Sequence, residues 1–387
     1  MSKRFAYQRL LPARAFKAGL SVFLAALFLA IVFLNLEPAA VPAAFAQGTA
    51  SSAAGDGAKG QPPAAGKTGD AQKSDAQKPE DQNPAETLKV NVNVVGLFFN
   101  VKDKHGALIP NQTKDDFEVF EDGKQQTIKY FTAESNLPLT LGILIDSSGS
   151  QLRVLDMEKE VGGAFLRQVL TDKDEAYVMD FNVDAELIQD YTRDVHRLQA
   201  ALNKVKINAG YTIPTLPGAG GGPVPTANSP GTVLYDAVYL SAHDMLAKEV
   251  GRKAMVLLTD GQDEGSRLKI KDAIEAAQRA DSIVYVLLCA DRGGYFAAGM
   301  GYSGESDMRK LTEATGGRVI NVGNKFDKLR EAFDQIAAEL RSQYNIGYTP
   351  TNTTQDGGYR KLEVKSKQGY KIQTRAGYYA SKREPAE

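Results

Sequence analysis

Two stretches of this sequence place carboxylates and hydroxyls where short apolar runs end. In LGILIDSSGS, Leu141 to Ser150, an apolar run closes on Asp146 and is followed by Ser148 and Ser150 at alternate positions. In an extended backbone alternate side chains fall on the same side, so these oxygens can converge on one point. In AMVLLTDGQDEGS, a second apolar run, Ala254 to Thr259, closes on Asp260. A third stretch, GTVLYDAV, sets Thr232 at the start of a predicted helix. Carboxylate and hydroxyl oxygens without His or Cys suit a hard cation: Mg²⁺ first, with Mn²⁺ or Ca²⁺ as alternatives. Taken alone, Asp-Ser-Ser-Gly-Ser also reads as an ordinary loop whose Asp or Ser caps the next helix. The other two stretches weigh against that plainer reading.

The elements that must position these residues follow from the patterning. Runs as short and apolar as Thr140 to Ile145 and Ala254 to Thr259 read as buried strands of a parallel sheet. Further strands are predicted at EAYVMDF, at ELIQDYT (an antiparallel edge), at SIVYVLLC and at GRVINV. Helices are predicted over Arg153–Leu170, Val195–Val205, Thr232–Ala247, Leu268–Ala280, Asp307–Thr315 and Lys325–Gln343. The last has an apolar face of Phe326, Leu329, Phe333, Ile336 and Leu340. Alternating strands and helices imply an α/β fold, a doubly wound, mostly parallel sheet with helices on both faces. Such sheets bind ligands in the crevice at the carboxyl ends of their strands.

D-x-S-x-S after a first strand, then T-x-L-Y-D-A at a helix start, then T-D-G after a later strand, together resemble the von Willebrand factor A family. The resemblance covers roughly residues 136–345. It implies a complete metal-ion-dependent adhesion site, with Asp146, Ser148, Ser150, Thr232 and Asp260 at the five family positions. It further implies that the three hydroxyls bind the ion directly and the two carboxylates largely through water. An open position on the ion would then take a carboxylate from a partner protein. Gln151 stands where many bacterial members carry Met, at a position that is not a ligand.

The chain has 387 residues and a formal net charge of -1, so no electrostatic footprint for nucleic acid is present. Its single cysteine, Cys289, lies in an apolar run and is expected to be a buried core thiol. Residues 1–46 read as a signal peptide: a basic start, an apolar run from Leu20 to Leu34, and Ala44 and Ala46 ahead of a cleavage point. The alternative is an uncleaved anchor in which residues 20–34 tether the protein to a membrane, although spanning helices use about 20 residues. Either implies a secreted, periplasmic or envelope protein. Residues 47–86 lack aromatic and branched apolar side chains and are expected to be a disordered linker.

Strand patterns return on both sides of the α/β unit, assigned to 134–345. Residues 87–133 carry an alternating run with Val90, Val92 and Val94 on one face. A hairpin follows, turning at Asp122-Gly123, with Val119, Phe120, Ile128 and Tyr130 in its strands. Residues 346–380 carry three more strands, with Leu362, Val364 and Ile372 facing inward, ahead of a tail at 381–387. Neither set is large enough to stand alone, and together they are expected to fill a β-sandwich into which the α/β unit is inserted, with joints near Leu137 and Tyr344; the competing arrangement is two separate β appendages flanking the α/β unit. A Gly- and Pro-rich insertion, Ile207 to Gly231, enters directly before Thr232 and reads either as a specificity loop rimming the site or as a surface loop without a role there.

Enzymatic patterns fail. GAGGGP at Gly218 lacks the flanking strand and helix of a dinucleotide loop, and GYSGE lacks the last Gly of a nucleophile elbow. His105, His196 and His243 show no zinc spacing. A phosphoaspartate nucleophile would show D-x-D-x-T, and Ser148 replaces its second Asp. The EF-hand-like DGQDEG has Lys271 where a Glu is needed. The expected protein is therefore a non-enzymatic, cation-dependent protein-binding molecule. The competing expectations are a structural envelope protein whose metal only stiffens the loops, or a metal-dependent enzyme.

Overall fold

The structure is a computed structural model that describes residues 94–134, 137–208, 231–289 and 304–382. The expected leader (1–46), linker (47–86), Val90, Val92 and most of the insertion 207–231 lie outside the described residues. Among the described residues no helix is long and apolar enough to cross a membrane.

The first strand, β1 (Val95–Lys102), buries Leu97, Phe99 and Val101. Val94, expected on that buried face, lies just ahead of the strand and is 46% exposed. Next, β2 (Phe117–Glu121) and β3 (Lys124–Gln126) form the predicted hairpin. Asp122 and Gly123 have φ of 49° and 80°, the two positive values that a type I′ turn requires. The expected continuation of the hairpin through Ile128 and Tyr130 is not observed. Instead β4 (Ile128–Glu134) crosses to the opposite sheet. The break is held by buried Gln126, whose amide donates to Lys124 O at 3.0 Å and Thr351 Oγ1 at 3.1 Å.

The α/β unit follows: β5 (Leu139–Asp146), α1 (Leu155–Val169), β6 (Glu175–Phe181), β7 (Ala185–Thr192), α2 (Val195–Lys204), α3 (Leu234–Leu240), β8 (Arg252–Thr259), α4 (Ile270–Arg279), β9 (Ser282–Leu288), α5 (Gly304–Thr315), β10 (Val319–Asn321) and α6 (Phe326–Arg341). The sheet order is β10-β9-β8-β5-β6-β7, parallel except for the edge strand β7. This is the doubly wound sheet expected from the sequence. Leu141, Ile143 and Ile145 of β5 face α1, α2 and α6, whereas Leu144 faces α3, α4 and α5. Both faces of β5 and β8 are thus covered, which is why those runs show no alternation.

Two helices differ from expectation. The helix expected to run to Ala247 stays α-helical only to Leu240 and continues as a π turn, Ser241–Met245, and a 3₁₀ turn, Leu246–Lys248. The register widens at buried Ser241, whose hydroxyl meets the Tyr177 phenol and the Met255 sulfur. Phe326, expected on the buried face of the last helix, is its first residue and is 40% exposed, while Leu329, Phe333, Ile336 and Leu340 are buried.

The chain then returns through β11 (Gln343–Tyr348), β12 (Tyr359–Ser366), β13 (Lys371–Thr374) and β14 (Gly377–Tyr379). The segment read as one strand, YKIQTRAGYYA, is two, β13 and β14, in different sheets. One sheet has the order β13-β1-β11-β4 and the other β14-β12-β2-β3. Each therefore mixes strands from before and after the α/β unit. Their shared core comprises Leu97, Phe99, Val119, Ile346, Tyr348 and Val364, among others. Because β11 begins at Gln343, the last residues assigned to the α/β unit already belong to the sandwich. The tail assigned from 381 also starts late, since Lys382 bridges to Asp356.

Candidate metal centre

Strands β5 and β8 lie side by side, in register from Leu139↔Arg252 to Ile145↔Leu258. Asp146 and Asp260 consequently leave the sheet together at its carboxyl edge. The connections diverge here, β6 on one flank and β9 on the other, and this divergence opens the crevice of a doubly wound sheet.

Asp146 is fully buried. Its Oδ1 accepts from the Ser148 N–H at 2.9 Å, and its Oδ2 accepts from Thr259 Oγ1 at 2.6 Å. The same Thr259 oxygen accepts from the Gly261 N–H at 3.0 Å and so holds the β8 loop to the β5 loop. Ser148 begins a 3₁₀ turn, Gly149–Arg153, and that turn brings Ser150 Oγ to 3.0 Å from Ser148 Oγ. Asp260 is 3% exposed, and its Oδ1 accepts from the Gln262 N–H at 3.0 Å. Thr232 is joined through its backbone, its carbonyl accepting from Glu264 N at 3.1 Å and Gly265 N at 3.0 Å. Glycine is required on both sides of that seam: a Cβ on Gly265 would stand 2.3 Å from Gly231 O. The far end of the insertion is fixed too, with Asn208 N donating to Ser147 O at 2.9 Å. Both ends of the 207–231 segment thus attach to the loops that carry the site residues.

Burial pushes the Asp146 carboxyl up to about 7, the charge of Asp260 pushes it the same way, and the hydrogen bonds from Ser148 and Thr259 oppose both. Two buried carboxylates that repel one another beneath a pair of hydroxyls fit a hard divalent cation, which would relieve the repulsion and add oxygen ligands. Among the described residues no group of three or more His, Cys, Asp or Glu is arranged to hold a metal. Any ion here would depend on hydroxyls as much as on carboxylates. Ser147 faces the other way, donating to Asp180 Oδ2 at 3.1 Å and accepting from Asn182 at 2.8 Å, and burial raises Asp180 to about 6. The sequence reading did not single out Thr259 or Ser147. The T-D-G triplet carried the signal for Thr259, whereas nothing local marks Ser147. Cys289 is free and buried, as expected.

No protein-family model matches the chain, and no curated protein matches it. Solved structures do. BatB from Bacteroides thetaiotaomicron matches at 17% identity and a TM-score of 0.36, over 53% of this chain and all (100%) of that one. Proximal thread matrix protein 1 from the mussel byssus, solved with a zinc-occupied MIDAS motif, matches at 14% and 0.40, over 56% of this chain and 48% of that one. A von Willebrand factor type A protein from Catenulispora acidiphila matches at 12% and 0.38, over 76% and 74%. At such identities and scores the fold is taken from the strand order and register above.

Proposed function

We propose that this is an extracytoplasmic, non-enzymatic protein that captures an acidic group of a partner protein through a divalent cation, Mg²⁺ by preference. The observation that carries the reading is the juxtaposition of the Ser148 and Ser150 hydroxyls, 3.0 Å apart, above buried Asp146 at the sheet edge where β5 and β8 end side by side. Ser148, Ser150 and Thr232 would hold the ion by their hydroxyls, and Asp146 and Asp260 would act largely through water. Once bound, the ion would supply an electrophilic position for a carboxylate. Thr259 keeps Asp146 oriented, and the backbone seam between Thr232 and Glu264–Gly265 keeps the third hydroxyl in place. The basic and apolar start of the sequence supports the extracytoplasmic placement. In the second reading, the metal only stiffens the loops; the direct linkage of the β5 and β8 loops through Thr259 favours it.

The two readings separate in a capture experiment. Immobilised full-length protein is incubated with solubilised envelope from the organism that carries it, in Mg²⁺ or in EDTA. Cation-dependent adhesion predicts a protein retained in Mg²⁺, released by EDTA and not retained by Asp146→Ala. Retention that survives both EDTA and Asp146→Ala would favour the stiffening role.

A further inference from the structure

Glu158 occupies a position where the fold calls for a hydrophobe. It shares the sheet-facing side of α1 with Leu155, Val161, Phe165 and Leu166, and it is fully buried. Neither of its oxygens has a nitrogen or oxygen donor among the described residues, and the thiol of Cys289 beside it is only a weak donor. The charged and titratable groups around it come from three neighbouring strand ends, Asp146 closing β5, Asp260 after β8 and the Cys289 thiol after β9, with Lys159 on α1 itself. Lys159, the single base of that set, is turned to Asp156 at 3.6 Å. Gln151, in the turn that carries Ser150, is also fully buried, and neither of its amide atoms has a partner among the described residues.

An isolated carboxylate in such surroundings is strongly disfavoured, so the group keeps its proton. Burial raises it to about 8, the Cys289 thiol opposes that rise, and the charges of Asp146 and Asp260 add to it. An apolar side chain would serve the core better at this position. We propose that Glu158 is a proton-carrying support of the cation site: neutral while the loops hold no ion, ionised once a divalent cation sits above it, so that ion binding expels a proton. This rests on the cation reading given above. A divalent charge between Asp146 and Asp260 reverses the local field, and the O–H bond of Glu158 then breaks with its proton passing to solvent. The resulting carboxylate would add a third negative charge to those of Asp146 and Asp260. Glu158 is thus a positioning residue and not a ligand.

Calorimetric titration of the full chain with MgCl₂, in buffers of different ionisation enthalpy, counts the protons released. At about pH 7.5 the wild type should release more protons per ion than Glu158→Gln. Its affinity should also gain about threefold or more over that variant between about pH 6.5 and pH 8.5, up to the tenfold that one pKa unit represents. Glu158→Met should melt higher than wild type without Mg²⁺ and show the same flattened pH profile as Glu158→Gln. Equal proton counts in wild type and Glu158→Gln would overturn the proposal and leave the cation reading intact. A wild type that binds no divalent ion would overturn both.

Discussion

Thr259 serves two bonds with one oxygen, and its removal should be felt at the site and in the fold. Thr259→Val leaves the buried Asp146 Oδ2 without its 2.6 Å donor and the Gly261 N–H without its acceptor. Leaving a buried group unsatisfied costs about 1–3 kcal/mol, so urea denaturation should show a loss of that size, with weaker Mg²⁺ binding. A variant within about 0.5 kcal/mol of wild type, the ordinary scatter of neutral changes, would contradict the assigned role. Glu158 predicts a pH effect. Its folded value of about 8 lies above the ordinary 4.5, so the folded state holds a proton that the unfolded state has lost. Stability contributed by this group is full below about 4.5 and is lost as the pH climbs towards about 8. Without divalent ion, Glu158→Gln should therefore show a shallower fall in melting temperature across that window, measured by circular dichroism. Of the proposed site, Asp146 and Asp260 were marked in the sequence by the apolar runs they follow, whereas Ser148, Ser150 and Thr232 were marked only by their spacing in D-x-S-x-S and T-x-L-Y-D-A. Glu158 was not: in MEKEVGG it reads as one more charge on a solvated helix, and only the packing of α1 against the sheet reveals that it is buried.

Helix α6 joins the two parts of the molecule through one buried carboxylate. Glu339 is 3% exposed and takes Lys102 Nζ of β1 at 2.8 Å, the Arg318 guanidinium at 2.7 Å and the Gln373 amide of β13 at 3.1 Å. Asn100 of β1 donates to its backbone carbonyl at 2.8 Å. Burial holds the Lys102 ammonium below its usual range, and Glu339 opposes that shift. Glu339→Ala removes the counter-charge of that ammonium and leaves it Gln373 Oε1 at 2.6 Å, and breaking a buried pair from one side costs about 3–5 kcal/mol. Urea denaturation should report a loss of that order, and a change below about 1 kcal/mol, the range of surface pairs, would place the contact among the dispensable ones. The helix itself was legible from the spacing of Leu329, Phe333, Ile336 and Leu340, but Glu339 lies between those positions and gives no local sign of its partners. The crossing of β4 was hidden for a related reason. Ile128 and Tyr130 carry on the apparent pattern of the hairpin, and only the distant β11 makes them part of the other sheet.

At the scale of the whole molecule, the sandwich depends on both flanks of the α/β unit. The Arg252 guanidinium donates to Leu137 O at 2.8 Å on the incoming side and to Leu340 O on the outgoing side. Removing residues 346–387 takes away β12, against which β2 pairs, and the second half of β11, against which β4 pairs. Limited proteolysis of that deletion should cut within Phe117–Phe131, a stretch the intact protein protects; equal resistance in the two would contradict the paired sheets. That the termini of the α/β unit open onto one sandwich was legible because neither strand set carries enough apolar surface alone. Which strand joins which sheet was not, because alternation along a strand specifies its buried face and leaves its neighbours open.

The proposed function depends on one event, the binding of a divalent cation at the sheet edge where β5 and β8 end side by side. Thermal melting of the intact chain with and without Mg²⁺ or Mn²⁺ tests it most directly. Binding to the folded state should raise the melting temperature with ion concentration, by the equivalent of about 2.7 kcal/mol at a hundredfold excess over the dissociation constant. Asp146→Ala should fold and lose that rise. A wild-type melt that ignores both ions, or a rise that persists in Asp146→Ala, would contradict the account.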